Sequence, residues 1–233
     1  MQRGLWSWEN IKHIQYFEKV KMQNRNWQYY LFEILVVFLG IMAAFGLNSW
    51  WQGMQESNLE EKYLTGLESD IDKNITALTG LIEIAEDNYN AIQKIITMIS
   101  KGDYKVDTII LYSVRMVYLF EFTQNSIIFE TLKASGNFKI ISDYELRNKI
   151  VEVYNHYSRI EKFDEMYRKY IDDYVIPFMW KNIDMISGKP VNTNFVKQVE
   201  FKNVLTGYLL MLTQQLDGYK SGLEKSKTLK EML

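Results

Sequence analysis

Residues 29–51 read YYLFEILVVFLGIMAAFGLNSWW, and residues 34–47 within them carry no charged or strongly polar side chain. At 1.5 Å per residue such a helix is roughly 34 Å long, enough for a hydrocarbon layer of about 30 Å with slight tilt. Trp27, Tyr29 and Tyr30 stand at one end and Trp50 and Trp51 at the other, the paired aromatic rims expected at two membrane–water interfaces. The pattern predicts a transmembrane helix over residues 27–51. Before it, residues 1–26 repeat apolar side chains about every third position: Leu5, Trp8, Ile11, Ile14, Phe17 and Val20. This predicts an amphipathic helix in which Trp6 and Trp8 anchor at the headgroups; a helix that docks on a partner has the same pattern.

After residue 57 the apolar positions switch to a long helical seam: Leu64, Leu67, Ile71, Ile75, Leu78, Ile82, Ala85, Tyr89, Ile92, Ile96 and Ile99. Steps of three and four residues are those of a bundle or coiled coil, and one extra step of four favours an intramolecular bundle over a dimeric seam. No proline interrupts residues 26–100, so the span is expected to continue as a stalk, with Gly53 and Gly66 as its weak points. A turn follows at Lys101-Gly102-Asp103. Residues 106–122 predict a buried helix and residues 125–135 a short one stopped by Gly136. Ser142 and Glu145 form a capping box that opens a helix carrying Leu146, Ile150, Val153, Tyr157, Ile160, Phe163, Tyr167, Tyr170 and Tyr174 on one side. That helix is expected to end near Pro177. Residues 187–190 predict a loop, and residues 195–232 a last helix, bent at Gly207 or Gly218.

The expected fold is therefore all-α: an N-terminal amphipathic helix (1–26), one transmembrane helix (27–51) and a long stalk helix leading into a four-helix-bundle-like domain (52–233). Charge sets the direction. Arg3, Lys12, Lys19, Lys21 and Arg25 precede the span, whereas in residues 52–70 Lys62 is the one base among Glu56, Glu60, Glu61, Glu68 and Asp70. Basic flanks remain cytoplasmic, which predicts a single-pass signal anchor with its C-terminal domain outside; the absence of cysteine fits a periplasm, and the expected location is a bacterial inner membrane.

Two stretches resemble the signature of an uncharacterised family of Gram-negative envelope proteins. The first is residues 29–51. The second is residues 127–157, in which Phe129, Leu132, Ser135 and Gly136, then Ile141, Asp143, Leu146 and Arg147, match that family's pattern. The resemblance covers most of the chain and implies a domain with no established activity, hence no catalytic residues to transfer. The N-terminus here is longer and richer in tryptophan.

Candidate chemistry is sparse. A net charge of −2, without a basic surplus in the outer domain, argues against nucleic acid. With no cysteine and two histidines, His13 and His156, no hydrolase triad or three-histidine metal site can be assembled, and no metal or other cofactor is expected. Glu152 and His156, four apart on one helix face, read as a surface or partly buried contact. Asp172 and Asp173, and Asp70 with Asp72, read as solvated. The five tyrosines of residues 154–174 read as core with hydroxyls at the rim. Within the span, Glu33 is the anomaly: only about one turn inside Tyr29 and Tyr30, it reads as an interfacial carboxylate, hydrated or hydrogen-bonded, with a partner contact or a proton path as the alternative for an intramembrane acid. Gly40, Ala43 and Ala44 give a small-residue surface for a neighbouring helix. The expected role is a non-catalytic, membrane-anchored interaction or accessory subunit of an envelope complex. Its expected partners are the lipid bilayer and a membrane or periplasmic protein complex, a homo-oligomer included. The alternatives are a ligand-sensing bundle that signals across the membrane, and a component of an ion-driven motor or transporter that uses Glu33.

Overall fold

The computed structural model describes residues 27–233; the amphipathic segment with Trp6, Trp8 and His13 lies outside them. The fold is all-α, and the described residues divide into two compact units at Gln55 and Glu56. Helix α1 (Trp27–Ser100) is continuous. Gly53 does not break it, and Gly66 is a packing site, since a Cβ there would lie 2.8 Å from Ile128 Cγ1. Residues 27–55 of α1 bury no side chain. They contain the one stretch among the described residues that is long and apolar enough to cross a membrane.

In the second unit, α1 packs with α4 (Tyr144–Tyr170) and α6 (Val199–Lys230). Cross-links give the directions. Asp72 pairs with Lys230 at 2.5 Å and Glu86 with Lys220 at 2.7 Å, so α6 runs antiparallel to α1. Tyr157 meets Ser226 and Tyr167 meets Tyr208, so α6 is antiparallel to α4 as well. The predicted seam supplies the wall of α1 in this core: Leu67, Ile71, Leu78, Ala85 and Ile92 are fully buried, and the remaining seam positions are half-buried.

Among the described residues a fourth long helix is absent. Residues 101–143 instead give α2 (Val106–Ser113), a 3-10 turn (Val114–Val117), an extended segment (118–126), α3 (Ile127–Ser135) and a second 3-10 turn (Asn137–Ile140). The buried helix expected over residues 106–122 thus ends early. Phe120 and Phe122 point inward with period two, as in a strand. Gly136 closes α3 with φ +69°, as expected.

Two helix boundaries differ from expectation. Asp143, not Ser142, caps α4: its carboxylate accepts the Glu145 and Leu146 N–H groups, while Ser142 donates twice to Glu60 Oε1. Pro177 does not stop the helix. A π turn, Ile171–Val175, precedes it, and α5 (Ile176–Asn182) starts with Pro177 in its first turn. The Ile176 N–H reaches back to Ile171 O. That wide turn makes room for the proline ring where a tight turn would clash. The loop at 187–190 belongs to a two-strand hairpin, β1 (Ile183–Asp184) with β2 (Lys189–Pro190). After a 3-10 turn (Thr193–Lys197), α6 continues unbroken through Gly207 and Gly218.

Candidate functional site

A chain segment inside a helix bundle must pair its backbone groups without a ladder. Side chains of the long helices do this for residues 118–128. Asp164 of α4 accepts the Phe122 N–H at 2.7 Å. Glu161 takes the Gln124 N–H at 3.0 Å and the Gln124 side-chain amide at 3.0 Å. Asn74 of α1 binds both backbone groups of Asn125, at 2.7 and 3.0 Å. Asp70 accepts the Ile128 N–H at 3.1 Å, in the first turn of α3. From α6, Gln215 donates to Phe120 O at 3.3 Å. The rings follow the backbone, with Phe120 against Tyr167 and Phe122 against Tyr157.

Asp164 is the centre of this network. Its side chain is nearly sealed, and both oxygens are engaged: Oδ1 by Gln215 at 2.8 Å and Tyr219 at 3.0 Å, Oδ2 by the Phe122 N–H and again by Tyr219. Burial pushes its acid dissociation up to about 6, against the pull of these donors. Burial also raises Tyr219, with the Asp164 charge adding to it. A carboxylate held this way is a clamp for the backbone.

These residues correct two readings. Asp70 is 3% exposed, not solvated; Asp72, two residues on, is the surface member. Phe163 is 42% exposed, and Asp164 holds the interior place the phenylalanine was expected to fill. Both spacings, 160–163–167 and 160–164–167, satisfy a helical stripe, so hydrophobicity alone selects the wrong one. Of the five tyrosines, Tyr154, Tyr157 and Tyr167 are core, Tyr170 is half-buried and Tyr174 is exposed. Glu152 binds Lys149 and Lys225, while His156 contacts Gly218 O at 3.3 Å; burial lowers the histidine's proton affinity. Asp173 is exposed and pairs with Lys169 at 2.9 Å.

The residues predicted for the span lie on α1 with open surroundings. Glu33, Gly40, Ala43 and Ala44 are exposed, and nothing lies within 4 Å of a Cβ placed at Gly40. Trp27, Tyr29, Tyr30, Trp50 and Trp51 are exposed too. Among the described residues no group of three or more His, Asp or Glu side chains is placed to hold a metal.

Two surface features stand outside these expectations. One is a set of exposed apolar side chains on the hairpin and the segments that flank it: Trp180, Met185, Ile186, Val191 and Val199. Val191 N–H bonds to Asn182 O, and Lys181 pairs with Glu200, which draws these stretches together. Ile186 is 99% exposed. The other is a groove of about 430 Å³ between the π turn with α5 and the first turns of α6. Tyr170, Tyr174 and Pro177 line it with Asp173, Lys181 and Glu200. A recess of about 710 Å³ on α1 is lined by residues 65–77 of that one helix and has no opposite wall. No family model, curated protein or solved structure matches this chain.

Proposed function

We propose that this chain is a membrane-anchored accessory subunit of a bacterial envelope complex, non-catalytic, with residues 27–51 in the inner membrane and the domain of residues 56–233 in the periplasm. One observation carries the reading: residues 27–51 present a helix surface with aromatic rims that is apolar without a break from residue 34 to residue 47, and they bury none of it. In water such a surface would cost about 25 cal/mol per Å², and lipid is the medium that removes the cost. The excess of bases before the helix and of acids after it supports the inward N-terminus, and the resemblance to an envelope family supports the compartment. The interaction role is supported by the exposed apolar side chains on and beside the hairpin, Trp180 and Ile186 among them, because such side chains, where they collect, mark contact surfaces. Asp164, the most perturbed acid, is spent on holding backbone, which supports a role without chemistry.

The test has two steps. A reporter fused after Leu233, active only outside the cytoplasm, gives signal, and the chain stays in membranes through alkaline extraction. Mild-detergent purification at native expression then yields a partner in fixed stoichiometry, and Ile186→Ser or Trp180→Ala weakens its retention. A water-soluble full-length chain, or recovery as bare monomer, overturns the reading.

A further inference from the structure

Three choices that disfavour a helix converge on the groove between α5 and α6. Pro177 sits inside a helical run, where it removes a donor and adds a clash. The π turn before it is a rare conformation that concentrates at binding sites. Gly207, inside α6, costs about 1 kcal/mol against alanine. Its reason is Tyr170: a Cβ at Gly207 would lie 2.1 Å from the Tyr170 hydroxyl, which instead donates to Val204 O at 3.1 Å. Tyr170 is thereby fixed beside Tyr174, ring centroids 5.1 Å apart and tilted by 31°. Local costs that all border one recess are expected where a fold keeps a site.

The lining has a definite chemistry. Two phenol rings offer electron-rich faces to a cation. Asp173 and Glu200 line it with Lys181, and the ammonium that pairs Asp173, that of Lys169, lies outside the lining. The existing ion pairs, Asp173 with Lys169 at 2.9 Å and Glu200 with Lys181 at 3.6 Å, are exposed and therefore weak enough to exchange. The volume falls in the range of small-molecule sites.

We propose that this groove binds a small organic ammonium, its cation against Tyr170 and Tyr174 and its charge met by Asp173 and Glu200. The site does not rest on the membrane-anchor reading, and its failure leaves that reading intact.

The probes are choline and cadaverine, titrated by calorimetry into the full chain in maltoside micelles, with sodium chloride of equal ionic strength as control. Saturable heat is expected for at least one amine. Tyr174→Ala and Asp173→Asn alter exposed side chains and weaken it about tenfold or more, whereas Tyr174→Phe, which keeps the ring, retains it. Far-UV dichroism checks that each variant is folded. Absence of saturable heat with both amines overturns the proposal, as does equal affinity in folded Tyr174→Ala and Asp173→Asn. A second arm repeats the binding titration in phosphatidylethanolamine and phosphatidylglycerol nanodiscs. Competition in the first alone identifies a lipid headgroup as the source, and equal affinity in both identifies a free amine.

Discussion

Asp164 accepts the backbone N–H of Phe122 at 2.7 Å, so a carboxylate in the middle of α4 does the work of a ladder partner for a segment that has none. Replacing it with leucine orphans that N–H and the Tyr219 hydroxyl, whereas the Gln215 amide keeps Phe120 O and the Tyr219 oxygen as acceptors. Each buried donor left unpaired costs about 1–3 kcal/mol, so Asp164→Leu is expected to lose about 3–5 kcal/mol. Phe163→Ser, one residue earlier on the exposed side, is expected to cost less than about 1 kcal/mol. Urea unfolding of the full chain in micelles, followed by far-UV dichroism, separates the two.

The same carboxyl gives a pH dependence with a definite sign. Burial holds Asp164 at about 6 in the fold, against 3.8 when solvated. Between these values the folded form binds more protons than the unfolded one, so stability falls as pH rises from about 4 to about 6 and levels beyond. The slope contributed by this one group is at most about 1.4 kcal/mol per pH unit. Asp164→Asn removes that contribution. The difference in slope between parent and variant over pH 4–6 is the readout, because other carboxylates cancel from it.

Neighbouring polar residues on α1 are expected to behave oppositely. Asn74 is fully buried and satisfies both backbone groups of Asn125. Asn74→Leu is expected to destabilise by about 2–4 kcal/mol, through two unpaired groups. Asp72→Ala loses an exposed pair with Lys230 and is expected to change stability by less than about 1 kcal/mol. Thermal unfolding of both variants under one condition provides the comparison.

Gly207→Ala forces Tyr170 out of its seat and is expected to cost about 1–3 kcal/mol by overpacking. Tyr170→Ala empties the seat, so in the double variant the alanine at 207 meets no ring. A double-mutant cycle is expected to show strong non-additivity in that direction; additive costs would mean that the two residues do not share the space.

The long helices were legible because their apolar residues recur at helical spacing over many turns, as from Leu67 to Ile92. The continuity of α1 was legible from the missing prolines. Residues 106–122 misled because they are largely apolar, and a short apolar run does not distinguish a helix from an inward-facing strand; Phe120 and Phe122 on either side of Glu121 were the available signal. Pro177 misled because the π turn that accommodates it has no local sequence mark. Asp70, Asn74 and Asp164 were unreadable in isolation. Each is buried only because a distant segment brings it a backbone N–H, and that pairing exists in three dimensions alone. The partner surfaces expected on the span, at Glu33, Gly40, Ala43 and Ala44, concern a second helix, on which a single chain is silent.

Residues 118–128 are tied to α1 through Asn74 and Asp70, to α4 through Asp164 and Glu161, and to α6 through Gln215. No one of these helices can peel away without tearing the segment from the other two. Partial opening of this domain is therefore penalised nearly as heavily as complete opening. The amide hydrogens of Phe122, Gln124, Asn125 and Ile128, though they sit outside or at the edge of regular helix, belong with the slowest to exchange for deuterium.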